Sequence, residues 1–506
     1  MSTNIIDLLE SMSPIPIPRL PVQNPKTAVL NSVSSAKRNS TNVDVAIIGG
    51  GFSGTMLAVQ LLRRAPFLRI GVIDKSSIPG RGLAYSTQYN CHLLNVPAGN
   101  MSALHEDPSH FLRWARANCG PAVHAESFVS RMAYGRYIGS LLEESAIQEG
   151  GHSLEWFQEA AVSLRRENGE PVVLLKNGRE LHAEVVILAI GNFPPGNPKV
   201  SGLSGQRKKY IPFAWSPSAL EGLDPNGSVL LIGSGLTSID LTVALQARKF
   251  QGQIQIISRH GLVPQRHQAV EPWPQFWHQG SPRNIRGLMH LIRNQVRAAA
   301  EQGVDWRSVI NSLRPVAQDI WKSLPHEERA RFLRHARPYW EAHRHRIAFE
   351  IHNVVSRLIS EGRLTIYAGR ITEYSEVSDQ AVVSFRNRKD GSFRRLQVDR
   401  MINCTGSESD CRRIDVLTSL FLQGEARPDP LFLGLDVDSK GSVLNFNGVP
   451  SNSLFAIGPV KKGGLWETTA VPEIRKQASD LAEHVVHLLA YRRNSRHKNS
   501  VVEANA

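Results

Sequence analysis

Cysteine is scarce in this chain, with four in 506 residues, and none of the four is placed for a familiar purpose. Cys91, Cys119, Cys404 and Cys411 form no C-x-x-C or C-x₄-C pair and no zinc-ligand spacing. A disulfide framework, a cysteine-ligated zinc site and the thiol relay of disulfide reductases therefore all lack their residues. Long apolar runs are missing too. None approaches the roughly 18 residues that span a bilayer, so no membrane association is expected. The N-terminus shows no basic segment leading into an apolar one. Asp7, Glu10 and a Pro/Ser-rich stretch stand there instead, and the expected compartment is the cytoplasm. G-x-S-x-G is absent, which leaves a hydrolase without an anchor. Acid is short as well: 45 Asp and Glu face 59 Lys and Arg, a net charge of +14. Such an excess can mark a nucleic-acid binder. Here thirteen Lys/Arg against six Asp/Glu fall between Ser281 and Arg346, a local +7 in a helical pattern without any nucleic-acid-binding signature. A small-molecule substrate, not nucleic acid, is the expected partner, and anionic small ligands also need positive surroundings. The sequence carries no sign of the oligomeric state.

What is present is a pattern used twice. Residues 1–42 are rich in Ser, Pro and Asn, lack apolar periodicity and read as a disordered tail. Val43 to Ile48 then forms a β-branched run of the kind buried in a parallel sheet, followed by a Gly-rich turn, a helical pattern through Leu62 and a strand ending at Asp74. The pattern returns as a strand at Val229 to Ile232, a turn at Gly233-Ser234-Gly235, a helix at Leu236 to Ala247 and a strand at Ile254 to Ser258. The expected fold class is α/β, with two Rossmann-like dinucleotide-binding domains, the second inserted in the first, and an additional helical segment. The boundaries read as 43–205 and 406–491 for an FAD-binding domain, 206–280 and 363–405 for an NAD(P)-binding domain, 281–362 for a helical insertion and 492–506 for a loose tail. Strands are expected at Leu364 to Ala368, Ala381 to Phe385 and Val398 to Cys404.

Two glycine loops carry the chemistry. In the first, Gly49, Gly51 and Gly54 stand at G-x-G-x-x-G spacing: one for the tight turn, one for the approach of a pyrophosphate, one for helix–strand packing. Phe52 and Ser53 open the helix whose N-terminus faces the phosphates. Asp74, 25 residues after Gly49, is placed for ribose hydroxyls, with Lys75 beside it. In the second loop Gly233 and Gly235 hold their places, Ser238 replaces the third glycine, and Leu236 and Thr237 open the helix. The paired strand ends in Ser258-Arg259-His260 where an NADH site would place an acid, so Arg259 is expected to meet a 2′-phosphate and to favour NADPH. Ala189-Ile190-Gly191-Asn192 and Asn403-Cys404-Thr405-Gly406 each end an apolar strand in a small residue and glycine. That suits a chain crossing a bound dinucleotide, and equally a plain strand exit.

With those residues in view, the chain resembles the two-dinucleotide-binding flavoproteins, the group holding flavin-containing and N-hydroxylating monooxygenases. More narrowly it resembles a bacterial family of FAD/NAD(P)-binding proteins. The likeness rests on GGGFSGTMLA, GRGLAYST, LLNVPAGNMSA, FVSRMAYGRYI, LLIGSGLTSID, ISRHGLVPQRH, DWRSVINSLRP, YWEAHRHRIA and FAIGPVKKGGLWETTAVPEIRKQ, which spread from Val43 to about Leu489. It implies FAD and a nicotinamide dinucleotide as cofactors. It further implies that Arg81, Leu83 and Ala84 form a loop near the flavin, that Asn95 edges the pocket, and that Gly458 lies by the ribityl or pyrophosphate. Leu465 and Trp466 would belong to a segment opening a helix toward the isoalloxazine. Where relatives often carry Gly-Asp this chain has Gly458-Pro459, and a carboxylate is lost. Tyr85 and Trp466 are equally readable as ordinary packing.

HRHR at His343 to Arg346 does not place two histidines on one helix face, so no metal is expected there. The cluster reads as solvated or structural ion pairing, or as a contact for an anion. The expected activity is an FAD-dependent oxidoreductase reduced by NADPH, a monooxygenase acting on a small organic substrate. The alternatives are a reductase or dehydrogenase without oxygenation, and a non-catalytic FAD/NAD(P)-binding protein. No catalytic side chain is assignable, because the flavin carries the hard chemistry. An F-x-G-x-x-x-H signature is not evident, and Phe213-Ala214-Trp215 stands in that region.

Overall fold

The computed structural model of the chain describes residues 40–65, 67–147, 153–205, 207–407 and 410–504. The first sheet starts at β1 (Ser40–Ile48), continues after helix α1 (Phe52–Arg64) into β2 (Arg69–Asp74), and passes the short helix α2 (Gly82–Tyr85) and helices α3 (His110–Cys119) and α4 (Arg131–Ile147) to reach β3 (Ser153–Gln158). A hairpin of β4 (Ala161–Glu167) and β5 (Glu170–Leu175) leads into β6 (Glu180–Leu188). The second sheet is built from β7 (Tyr210–Ile211), β8 (Ser228–Ile232), α5 (Leu236–Ala247) and β9 (Gln253–Ser258). Six helices follow: α6 (Ile285–Glu301), α7 (Trp306–Ser312), α8 (Ala317–Ser323), α9 (His326–Arg331), α10 (Arg337–Arg344) and α11 (Phe349–Ser360). They form the crossover to β10 (Leu364–Val377), which lies parallel to β9. After β11 (Gln380–Asn387), β12 (Phe393–Val398) and β13 (Arg400–Asn403), the chain runs through α12 (Asp415–Leu422). It then rejoins the first sheet with β14 (Ser442–Leu444) and β15 (Pro450–Ala456) and ends in α13 (Val471–Ala504).

The sheet orders are β14-β15-β6-β1-β2-β3 and β12-β11-β10-β9-β8-β13-β7. The second sheet therefore lies between two parts of the first, which makes it an insertion. β1 is central, parallel to both β2 and β6, and its last six residues are buried, as a strand covered on both faces must be. Eleven residues of α1, Phe52 to Leu62, are buried. They pack with Ile70, Tyr134, Tyr137, Leu481 and Val485 in one core, so α1 is clamped between its sheet and α13. Its position, and with it that of the first glycine loop, follows from that packing.

Several elements differ from expectation. β1 begins at Ser40, because Ser40, Thr41 and Asn42 pair with Glu180, Leu181 and His182. The rest of the anticipated tail, 1–39, lies outside the described residues. The strand anticipated over Val398 to Cys404 is two strands, broken at Asp399, whose carboxylate accepts from Ser228 N (2.7 Å), Ser228 Oγ (2.9 Å) and Gln380 Nε2 (2.9 Å). Beyond 492, where polarity predicts loose chain, α13 continues. Arg492 donates to Glu184 O (3.0 Å) and Asn452 O (2.8 Å), and Arg496 pairs with Glu170 at 2.9 Å.

Candidate functional site

At the end of β1 the backbone turns at Gly49, with φ of +108°, and a Cβ there would lie 2.2 Å from Ala189 O. A Cβ on Gly54 would lie 1.8 Å from Gly49 O, so helix and strand touch at that point. Gly51 is different. Its φ is −71°, and the nearest atom to a Cβ would be Gly82 Cα at 3.4 Å. The protein itself does not demand glycine there, whereas a group approaching the backbone would. No side chain caps α1, so its first-turn N–H groups at Phe52, Ser53 and Gly54 remain for an outside acceptor.

Asp74 is held under this loop, its Oδ2 accepting from Gly50 N at 2.6 Å and its Oδ1 from Ser76 N at 2.7 Å, while Lys75 is exposed. Each carboxylate oxygen retains a lone pair for a ribose hydroxyl. The Arg81 loop packs on Gly51, and Arg81 Nε is a buried donor without a partner, as a missing anionic ligand would leave it. Leu83 and Ala84 are exposed. Tyr85 turns inward, 4.7 Å from the Tyr134 ring, and burial drives its phenol far above the usual range. Gly458 crosses the first turn of α1 with φ of +78°, and a Cβ on it would sit 2.4 Å from Ser53 Oγ. Thr468 Oγ1 donates to Gly458 O (3.2 Å) and Gly458 N donates to Gln477 Oε1 (3.1 Å), which ties this crossing to α13. Gly191 has φ of +74° and no atom near its Cβ position. The residues present thus fit an FAD: bare glycines, an uncapped helix end, a placed carboxylate and an orphaned guanidinium nitrogen.

The second loop repeats the geometry. Gly233 has φ of +101°, and a Cβ would lie 2.6 Å from Cys404 O. Gly235 has φ of −84° and nothing within 4 Å of its Cβ position. Ser238 closes its own gap by donating to Gly235 O at 2.8 Å. Above the uncapped α5 lies a cleft of about 700 Å³ lined by Gly233, Gly235, Leu236, Thr237 and Gly406. Lys199, Arg259, Arg337 and Arg370 also line it, with Glu341 as the acid among its walls. His260 shares the cleft and keeps a buried Nδ1 without a partner. Burial first, then Arg388 and Arg259, hold that imidazole below its ordinary pKa. An anion in the cleft would meet several cations at once. Lys199, Arg337 and Arg370 were not legible from local motifs: Arg370 arrives only because β10 pairs with β9.

Other anticipated residues do not converge on one spot. Asn95 is half-buried, and its carbonyl accepts from His267 Nε2 at 2.9 Å, which links the two domains. Trp466 is buried against Trp321 and Phe332 at 5.1 and 5.2 Å, while Leu465 lines a separate hollow with Lys461 and Glu473. The helix after them opens at Val471. The HRHR cluster is turned inward rather than solvated. Arg344 pairs with Glu467 at 3.4 Å with both side chains only 8% exposed, and Arg346 Nη1 donates to Asn311 Oδ1 at 3.0 Å. His345 reaches the cleft above α5, whereas His343 stands edge-on to Trp306 at 4.8 Å.

Comparison with known proteins agrees with this geometry. A family model described as FAD-NAD(P)-binding matches residues 46–193. A search of curated proteins returned no match. Among solved structures the chain is similar to ornithine hydroxylase from Pseudomonas aeruginosa, at 16% identity and a TM-score of 0.61 over 89% of this chain and 100% of that one. It is similar also to L-lysine 6-monooxygenase from Pseudomonas syringae (15%, 0.62, 88% and 99%) and to a bacillithiol disulfide reductase from Staphylococcus aureus (13%, 0.53, 88% and 99%). At such identities the likeness is one of fold: two dinucleotide-binding domains, one set within the other. Among the described residues no helix is long and apolar enough to cross a membrane.

Proposed function

We propose that the chain is an FAD-dependent oxidoreductase reduced by NADPH, and that it acts as a monooxygenase on a small organic molecule; the match of residues 46–193 to an FAD-NAD(P)-binding family model and the fold shared with ornithine hydroxylase support the reading. The observation that carries the reading is the pair of uncapped helix ends, α1 and α5, each entered through a glycine whose Cβ position the protein leaves free. Gly51, Asp74, Arg81 and Gly458 would hold FAD, which would supply hydride acceptance and the chemistry with oxygen.

The chain's own residues supply the rest. Gly51 admits the pyrophosphate to the α1 N-terminus, Asp74 orients ribose, and the Arg81 guanidinium meets charge. Arg259, with Lys199 and Arg370 lining the same cleft, favours the 2′-phosphate of NADPH over the bare hydroxyl of NADH. Cys404 lines that cleft, but burial pushes its thiol far up, so it is not a thiolate relay. The four free cysteines fit a cytoplasmic location. Oxygenation is preferred over plain reduction because the fold lies nearer to the two hydroxylating enzymes, at TM-scores of 0.61 and 0.62, than to the disulfide reductase at 0.53.

The test is anaerobic reduction of the yellow holoprotein by NADPH, followed by admission of oxygen with candidate substrates present. Flavin bleaching and an oxygenated product in step with NADPH consumed support the reading. Stoichiometric peroxide without product under all substrates would move it to a reductase, and no bleaching by NADPH or NADH would remove the enzyme altogether.

A further inference from the structure

The helices inserted between β9 and β10 enclose a second hollow of about 500 Å³. Its walls are hydrocarbon and indole, with Leu288 and Ile292 from α6, Ile310 from α7 and Trp321 from α8, closed by Trp466 from the C-terminal segment. Two of the wall indoles have spent their polar atoms: Trp321 Nε1 donates to Gly463 O at 2.8 Å and Trp340 Nε1 to Glu467 Oε1 at 3.0 Å. Arg293 and His343 are the ionisable side chains of the lining, apart from the Tyr339 phenol, and no carboxylate is among them.

Protein interiors are otherwise close-packed, and an apolar hollow of this size leaves hydrocarbon against water until a ligand covers it. The volume falls in the range of small-molecule sites, roughly 300–1,000 Å³. A second observation points the same way. Phe332–Ala336 runs as a single π-helical turn, a feature frequent at functional sites, and both of its end residues line the hollow. Helix α10 is the partition between the two spaces. Its Arg337, Pro338, Glu341 and Ala342 face the dinucleotide cleft, while Tyr339, Trp340 and His343 line the hollow.

We infer that this hollow is the substrate chamber, and that it takes an uncharged, mostly hydrocarbon or aromatic molecule. The occupant's being a substrate rests on the oxidoreductase reading above; the binding of an apolar ligand does not. An amino acid with a free amine would find no carboxylate in this lining for its ammonium group, and burying that charge unpaired is costly.

The test uses full-length holoprotein and N-phenyl-1-naphthylamine, an uncharged probe that brightens in apolar surroundings. Saturable one-to-one binding is expected, competed by 1-decanol and not by L-ornithine. Ile292→Glu sets a charge in the wall and Ile292→Trp fills the space. Each should weaken probe binding tenfold or more with flavin content unchanged, and if the first loses flavin the second carries the test. Absent probe binding, binding indifferent to Ile292→Trp, or competition by L-ornithine overturns the chamber. NADPH-driven flavin reduction in the same preparations separates the two ideas. Probe binding without reduction overturns the oxidoreductase and leaves the apolar site, whereas reduction without probe binding overturns the chamber alone.

Discussion

Glycine spacing at the two loops looks uniform in sequence, yet the glycines serve different masters, and substitution separates them. Gly54 is required by the fold, since a Cβ would overlap Gly49 O, and Gly54→Val is expected to give poorly folded protein. Gly51 and Gly235 have room and ordinary backbone angles. Gly51→Val should therefore stay folded by circular dichroism but be colourless, while Gly235→Val should stay yellow and lose reduction by NADPH. A yellow Gly51→Val protein with full flavin occupancy would refute the FAD assignment. Arg259 is tested by coenzyme choice. A charge-assisted contact is worth about 1.5–3 kcal/mol, so Arg259→Ala should lower the preference for NADPH over NADH by roughly ten- to a hundredfold. The remaining cations of the cleft, Lys199 and Arg370, hold the effect toward the lower end. Equal apparent affinity of the wild type for both dinucleotides would refute the role.

Helices α4 and α5 belong to different domains and meet through one buried pair, with Arg131 Nη1 2.9 Å from Asp240 Oδ2 and both side chains about nine-tenths buried. Burial raises the Asp240 carboxyl to about 6, with Arg131 opposing the shift. For a carboxyl raised in the folded state, any stability it contributes is present below its unfolded pKa and lost as pH rises through about 6. Arg131→Met removes the compensating charge and should cost about 3–5 kcal/mol at pH 7.5, read as a lowered denaturant midpoint. Adding Asp240→Asn should restore much of it. Full stability of the single variant at pH 7.5 would show that the pair does not hold the domains.

Two histidines bind the domains at the scale of the whole molecule. His92 accepts from Thr87 Oγ1 (2.7 Å) and donates from Nε2 to Asp240 O (3.0 Å), and His267 donates to Asn95 O. Burial, reinforced by neighbouring arginines, lowers both to about 4. A depressed histidine contributes stability that is full above its unfolded pKa of about 6.5 and is lost as pH falls toward 4. Acidification across that window should open the domain contact and lower the Tm. His92→Gln, which keeps a donor and an acceptor but does not titrate, should show a smaller fall. Parallel Tm curves for the two proteins would exclude His92 from the effect.

Much of this architecture was written locally. A β-branched run, a glycine at a required turn and a 3.6-residue apolar stripe act over a few neighbours, so the strands at Val45 and Val229, the helices at Phe52 and Leu236 and both glycine loops were legible from the chain alone. The hairpin β4–β5 was not, because its alternation depends on which face the sheet covers. The break at Asp399 depends on Ser228, 171 residues away, and the cleft's Arg370 on the pairing of β10 with β9. Trp466 could be read beside a flavin or in a core. Its partners Trp321 and Phe332 come from the distant insertion, and their packing decided where its ring lies. Sequence determined the two loops that would receive dinucleotides. Tertiary structure alone decided which distant cations surround one of them and that an apolar chamber stands behind α10, because those depend on contacts that only the closed chain brings together.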